Sequence, residues 1–281
     1  MRYLPAAALA LAGCATPGPS QTLDAPVSLA AAESAFAARS VREDMRAAFL
    51  AHFDTDGVLV REGWVNANAS LSARPAPPIV LDWRPVYTET AASGEIGLST
   101  GPWMITSKVK PDAPPAYGQF VSVWRRAPGA AWKVAVDLGI SHPQPDLIRV
   151  PLEVRLSQGS TARGTEGIEA AERRFADDAL ASGLREAYAK HGSPRLRLYR
   201  DGASPAVNLK DALAVPLGED KLAWKIERSE TARSNDFGYA RGSYAAQSAA
   251  AVPLGYFLRV WRVEAGEWRI ALDVTNPAPP R

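Results

Sequence analysis

The sequence predicts an α+β protein built from two copies of one domain, each with N-terminal helices packed on a curved antiparallel sheet. Three observations predict it. The same landmarks occur twice in the same order along the 281 residues. Each copy opens in Ala/Glu/Arg-rich segments with apolar residues at helical spacing. Each closes in apolar runs separated by turn residues.

The duplication is plainest at the end of each copy. FVSVWRRAPGAAWKVAVDL around Trp132 matches FLRVWRVEAGEWRIALDV around Trp268, with Phe120, Trp124, Arg125, Trp132 and Asp137 falling on Phe257, Trp261, Arg262, Trp268 and Asp273. Earlier, AAESAFAARSVREDMRAAFLAH aligns without a gap to AAERRFADDALASGLREAYAKH, placing Glu33, Phe36, Phe49 and His52 on Glu172, Phe175, Tyr188 and His191. Arg61-Glu62-Gly63 against Arg200-Asp201-Gly202, and Trp83 against Trp224, lie between. A conserved order of loose matches is the mark of a repeat. The chain divides into a leader (1–13), a tether (14–27), unit one (28–142), a linker (143–163), unit two (164–276) and a tail (277–281).

The leader reads MRYLPAAALALAGCATPGPS. A positive charge, a short apolar run and small residues before Cys14 resemble a bacterial lipoprotein signal, whose cysteine is lipidated and becomes the mature N-terminus. Cys14 is the only cysteine, so no disulfide forms within one chain. Each unit then begins with two helices, expected over 29–39 and 41–53 and again over 168–182 and 184–190, the second pair divided by Gly183. A short strand follows each pair, at 58–61 and 196–199. Next come a short helix, clear from Asn208 and weaker near Asn66, and four strands. Those of unit one are expected at 80–90, 95–106, 117–126 and 132–140, and those of unit two at 222–231, 236–247, 253–263 and 267–275. In the linker, Ile148, Val150, Leu152, Val154 and Leu156 alternate with mostly polar residues, so it suits an added strand.

Gly97-Leu-Ser99-Thr-Gly101 matches the G-x-S-x-G pattern of a serine-hydrolase nucleophile elbow. Its counterpart in unit two is Gly238-Tyr-Ala240-Arg-Gly242, where alanine replaces the serine, and no helix signal follows either copy. Gly94 and Asn235, the residues best able to take positive φ, mark a hairpin turn just before. Ser99 is therefore read as a strand residue.

Together, Trp83, the stretch from Ser93 to Trp103, Trp124-Arg125 and Trp132-Lys-Val-Ala-Val-Asp137, with their repeats, resemble the nuclear transport factor 2-like superfamily. That cone-shaped α+β fold is shared with ketosteroid isomerase and SnoaL-like polyketide cyclases; the pattern is most similar to an uncharacterised bacterial branch related to the calcium/calmodulin kinase association domain. The resemblance implies a pocket between helices and sheet and no particular reaction. Single-unit members commonly pair through their sheets, which implies that two tandem copies pair internally as a monomeric pseudo-dimer.

Asp137 and Asp273 are the candidate catalytic residues. On the last strand Trp132, Val134, Val136 and Leu138 are expected on one face, and Lys133, Ala135, Asp137 and Gly139 on the other. A carboxylate beside small residues suits a cavity wall and a raised-pKa base; the favoured reading is an ion pair of Asp137 or Asp273 with the cross-strand Arg125 or Arg262. Trp83, Trp103, Trp224 and Tyr244 are aromatic in both copies and are candidates to wall a ligand site or fill the cores. His52 and His191 end helices, where a cation suits the C-terminus. The three histidines show no metal-ligand spacing, and no nucleotide-binding glycine pattern stands at a strand-to-helix junction, so neither a metal nor a cofactor is expected. Ketosteroid isomerase-like chemistry needs an oxyanion donor opposite an aspartate base, and the helices here carry Phe36 and Phe175.

With 32 Lys and Arg against 30 Asp and Glu, and no basic block, nucleic acid is not an expected partner. The leading expectation is a non-catalytic envelope protein, anchored through Cys14 and facing the periplasm from the outer membrane. It binds a small apolar or amphipathic ligand or an envelope protein. The alternatives are an isomerase, cyclase or hydrolase using a pocket aspartate as base, and a purely structural periplasmic adaptor.

Overall fold

A computed structural model describes residues 28–144, 150–157, 166–218, 221–249 and 251–279. Cys14 and the rest of the leader and tether lie outside them.

Unit one begins with α1 (Leu29–Arg42) and α2 (Met45–His52), capped by the Ser28 and Asp44 side chains, which accept from the amides of Ala31 and Ala47. The chain runs straight on into β1 (Phe53–Val60), then β2 (Trp64–Asn66) and α3 (Ala67–Ser72), capped by Asn66. The strand expected over 80–90 is two strands, β3 (Ile79–Trp83) and β4 (Tyr87–Thr90). Pro85 has no amide to give a ladder, and the Arg84 carbonyl crowds the Cα of Gly101 so closely that a Cβ there would lie 1.9 Å from it. β5 (Ile96–Ser107), β6 (Ala116–Arg125) and β7 (Lys133–Ser141) complete the sheet, and β8 (Glu153–Leu156) adds itself parallel to β4. The strand order is β2-β1-β7-β6-β5-β4-β8, with β3 also on β5.

Unit two repeats the plan: α4 (Ile168–Ser182), α5 (Leu184–His191), β9 (Gly192–Arg200), α6 (Leu209–Ala214), β10 (Leu222–Thr231), β11 (Phe237–Ala246), β12 (Gly255–Glu264) and β13 (Glu267–Pro277). Its sheet order is β10-β11-β12-β13-β9. The tight turns before β5 and β11 are held by Gly94 at φ +78° and Asn235 at φ +52°.

In each unit one sheet face packs on the helices. Phe36, Phe49, Trp83, Phe120 and Trp124 centre that core in unit one, and Phe175, Tyr188, Phe257 and Trp261 in unit two. The other faces of the two sheets meet in a third core, where Leu98, Val121, Val123, Val136 and Leu138 join Phe237, Tyr239, Leu258, Leu272 and Val274. Ser93 and its own counterpart Ser234 touch hydroxyl to hydroxyl at 2.6 Å, as a pseudo-two-fold contact requires. Further bonds tie the units: Trp64 Nε1 donates to the Gly242 carbonyl at 2.9 Å, and Asn276 Nδ2 to that of Gly139 at 2.6 Å.

A bulge decides which residues reach each core. Pairing of β6 with β7 slips between Val123 and Trp124, and that of β12 with β13 between Val260 and Trp261. The extra residue is Ala135 in one unit and Ala271 in the other. Strict alternation put Asp137 opposite Trp132 and Val134; the bulge reverses the phase. Trp132 and Val134 face the helices, Val136 and Leu138 face the other sheet, and Asp137 with Gly139 turns back toward the helices of unit one.

Candidate functional site

Between the helices and sheet of unit one lies an inner chamber of about 140 Å³, walled by Phe36, Phe49, Leu81, Trp83, Trp103, Ile105 and Phe120, with Asp137 and Gly139 at its floor. Phe49, Asp137 and Gly139 also line a larger open cleft of about 940 Å³. Arg61, Glu62, Asn66 and Arg74 border that cleft, and Asn276 and Pro279 reach into it from unit two. Of the aromatic candidates, Trp83 and Trp103 therefore stand on one wall with Asp137.

The cross-strand neighbour of Asp137 is Ser122, whose hydroxyl donates to Oδ2 at 2.8 Å. The expected partner Arg125 is engaged elsewhere, 2.7 Å from Asp54 and in contact with Asp56. Burial pushes the Asp137 carboxyl up to about 6, with the Ser122 bond and the Arg61 charge opposing the rise. Above it Glu33, fully buried on α1, accepts from Trp83 Nε1 at 2.7 Å and from Trp124 Nε1 at 2.7 Å. Burial lifts Glu33 to about 7, the two indoles opposing and Asp137 adding to the rise. Neither carboxylate has a cation at ion-pair distance among the described residues. His52 stacks on Phe36 at 4.7 Å, and its Nδ1 bonds to the Ala48 carbonyl. Burial holds its pKa below the ordinary value, so it closes the helix as a neutral ring rather than the expected cation.

Unit two carries the same acids, with Phe175, Trp224 and Phe257 matching Phe36, Trp83 and Phe120, around a different centre. Arg259 stands where unit one has Ser122. Its Nε donates to Asp273 at 2.5 Å and its Nη1 to Glu172 at 2.5 Å. The guanidinium lies 4.0 Å from the Phe175 ring centroid, 4.7 Å from Trp224 and 5.2 Å from Phe257. Arg200, the counterpart of Arg61, reaches Asp273 at 2.8 Å and bonds the hydroxyl of Tyr188. The partner of Asp273 is thus Arg259, not the expected Arg262, which pairs with Glu89 and Glu264. Burial alone would raise Asp273; Arg259 and Arg200 hold it below the usual carboxylate range, which removes it as a base at neutral pH. Trp224 and Tyr244, 5.4 Å apart, pack around this filled centre.

Ser99 is fully buried in mid-strand, with Thr88 and Ser122 as its pairing neighbours. No sharp turn into a helix follows it, so the elbow geometry is missing. Among the described residues no group of three His, Cys, Asp or Glu is placed to hold a metal ion, and no helix is long and apolar enough to cross a membrane.

Glu33 and Ser122 are the site residues that sequence reasoning missed. Glu33 was visible as a landmark kept in both copies. Ser122 was visible only as a small residue aligned with an arginine inside an otherwise matched strand.

No family model and no curated protein matches the sequence. Solved structures do. The chain is similar to an NTF-2 like protein of unknown function from Shewanella oneidensis, at 17% identity and a TM-score of 0.31, over 38% of this chain and 94% of that one. A putative calcium/calmodulin-dependent protein kinase type II association domain from Thiobacillus denitrificans is similar at 19% identity and a TM-score of 0.33, over 40% of this chain and 94% of that one. A ketosteroid isomerase-like protein from Erwinia carotovora atroseptica is similar at 18% identity and a TM-score of 0.31, over 41% and 93%. Each match spans nearly all of a single-unit chain and about two fifths of this one.

Proposed function

We propose that unit one is the small-molecule-binding half of a lipid-anchored envelope protein, and that unit two is a closed copy that completes and braces it. One observation carries this reading: the same pair of buried acids is neutralised by Arg259 in unit two, while in unit one Ser122 takes its place, neither acid has a cation at ion-pair distance among the described residues, and Asp137 lines a chamber. A pocket walled by aromatics, with a few convergent polar groups, is the usual form of a ligand site. Unit two supports it directly, since Asn276 and Pro279 border the outer cleft.

Anchoring through Cys14 and an outer-membrane, periplasm-facing location belong to the same proposal and rest on the leader sequence. Diacylglyceryl and N-acyl chains would contribute ~0.8 kcal/mol per buried methylene. Ala15 and Thr16 lack the aspartate that resembles an inner-membrane retention signal. A monomeric state is part of the proposal too, because each sheet covers the apolar face of the other.

An enzymatic reading has one observation in its favour: Asp137 combines a carboxyl pushed up to about 6 with a place on an open cavity wall, which suits a general base. The binding reading is preferred because unit two fills the matching space with a side chain, Arg259, held by counterparts of the chamber walls.

The test is native mass spectrometry of protein purified from the envelope. A small molecule that co-purifies with the wild type and is missing from Ser122→Arg, which copies the arginine of unit two into unit one, supports the proposal. Identical ligand-free spectra for both proteins count against it.

A further inference from the structure

Unit two contains a worked example of what the chamber of unit one accepts. Five residues surround the Arg259 guanidinium: Glu172, Phe175, Trp224, Phe257 and Asp273. Their counterparts in unit one are Glu33, Phe36, Trp83, Phe120 and Asp137, all identical in type. Four of the five line the inner chamber, and Glu33 sits behind its Trp83 wall. The side chain that fills the space in unit two, Arg259, is replaced in unit one by the short Ser122.

We propose that the inner chamber of unit one binds the planar cationic head, guanidinium or amidinium, of a small ligand, in the place that Arg259 occupies in unit two. This inference rests on the ligand-binding reading above and names the chemistry of the ligand.

The hydrogen bonds of the two units differ as an exchange of partners would require. In unit two Glu172 accepts from Trp261 and from Arg259, and the Trp224 Nε1 is buried without an acceptor. In unit one, where no guanidinium is present, Glu33 accepts from Trp124 and turns its other oxygen to Trp83. A cation entering the chamber offers Glu33 and Asp137 the charge-assisted bonds that Glu172 and Asp273 make, with Trp83 released as Trp224 is. The aromatic rings then offer the ion the contacts that Phe175, Trp224 and Phe257 make with Arg259. A cavity of about 140 Å³ is far more than one water needs, a few tens of Å³.

The outer cleft indicates the rest of the ligand. Arg61 and Arg74 border it, and the positive charge of Arg74 helps depress the pKa of Arg61, although burial depresses it more. Neither arginine has a carboxylate at ion-pair distance among the described residues. A cationic head in the chamber with an acidic group at the outer end would satisfy both sets of charges.

The experiment compares two probes that differ only at the head: 4-guanidinobutyrate and its neutral isostere 4-ureidobutyrate. Binding to the full-length protein is followed by calorimetry and by fluorescence of the tryptophans that wall the chamber. Guanidinobutyrate is expected to bind about tenfold or more tighter, the worth of one or two hydrogen bonds to buried charges. Ser122→Arg should abolish binding of both probes. Asp137→Asn, which keeps the shape of the side chain, should erase the preference for the cation while leaving the protein folded. Equal binding of the two probes to the wild type would overturn the cationic-head assignment and leave the ligand-binding reading intact. Binding of neither probe up to about 10 mM, the weak end of the affinity scale, would also overturn it. The mass spectrometric comparison then judges the broader reading separately.

Discussion

Unit one and unit two have the same two acids on the same two elements, yet the acids live under opposite electrostatic regimes. Asp273 and Glu172 share Arg259, a buried guanidinium whose charge is favoured by the acids beside it although burial works against it. Asp137 and Glu33 have only neutral hydrogen-bond donors, Ser122, Trp83 and Trp124, and both are pushed up toward neutrality by burial. The small-for-large difference on β6, Ser122 against Arg259, is the one that places or removes a cation between the acids.

The largest expected effect comes from removing that difference in unit two. Arg259→Ser leaves Asp273 and Glu172 buried without their shared cation, and breaking a buried pair from one side typically costs about 3–5 kcal/mol. Urea denaturation should show that loss; a change under about 1 kcal/mol would mean the acids relax to water or protonate at little cost.

The pH response comes next. The folded-state pKa values of Asp137 and Glu33 lie above their ordinary values, so folding favours their protonated forms. Their contribution to stability is complete at low pH and is lost as pH rises through about 6 and about 7. Between pH 8 and pH 5 they should add about 2–4 kcal/mol, taking one pKa unit as 1.36 kcal/mol. His52 and His191, held below their ordinary values chiefly by burial, act in the opposite direction. The diagnostic is therefore the difference between wild type and Asp137→Asn, whose stability should change less over that range. Parallel curves would show that Asp137 does not titrate there. The same acids must ionise to hold a cation, so affinity for guanidinobutyrate should rise over this range while stability falls.

A subtler contrast concerns two matching tryptophans. Trp83→Phe removes the 2.7 Å bond to Glu33, whereas Trp224→Phe removes an N–H that has no acceptor. Both variants lose similar ring area, so Trp83→Phe should cost about 1–2 kcal/mol more, the worth of one hydrogen bond to a buried acid. Equal costs would place Glu33 somewhere other than between its two indoles. The smallest effect is expected at Ser99→Ala, which copies Ala240. It should change stability by about 1 kcal/mol or less, and a fluorophosphonate probe should label neither protein. Labelling of the wild type alone would restore the nucleophile reading.

The sequence by itself determined the α+β class, the two runs of matching landmarks and the order of elements. Those follow from local signals: helical spacing around Phe36 and Phe49, the capping residue Asn208, and turns at Gly94 and Asn235. It also singled out Asp137 and Trp83 as chemistry worth testing. Tertiary structure decided what they face. One extra residue at Ala135 reverses the side-chain phase along β7, so alternation read from Trp132 misplaces Asp137. Whether an acid is neutralised depends on the residue across the ladder, Ser122 or Arg259, and cross-strand register is set by bulges rather than by spacing along the chain. The chamber exists because a short side chain stands where a long one fits, and only packing of the helices on the sheet turns that difference into empty space.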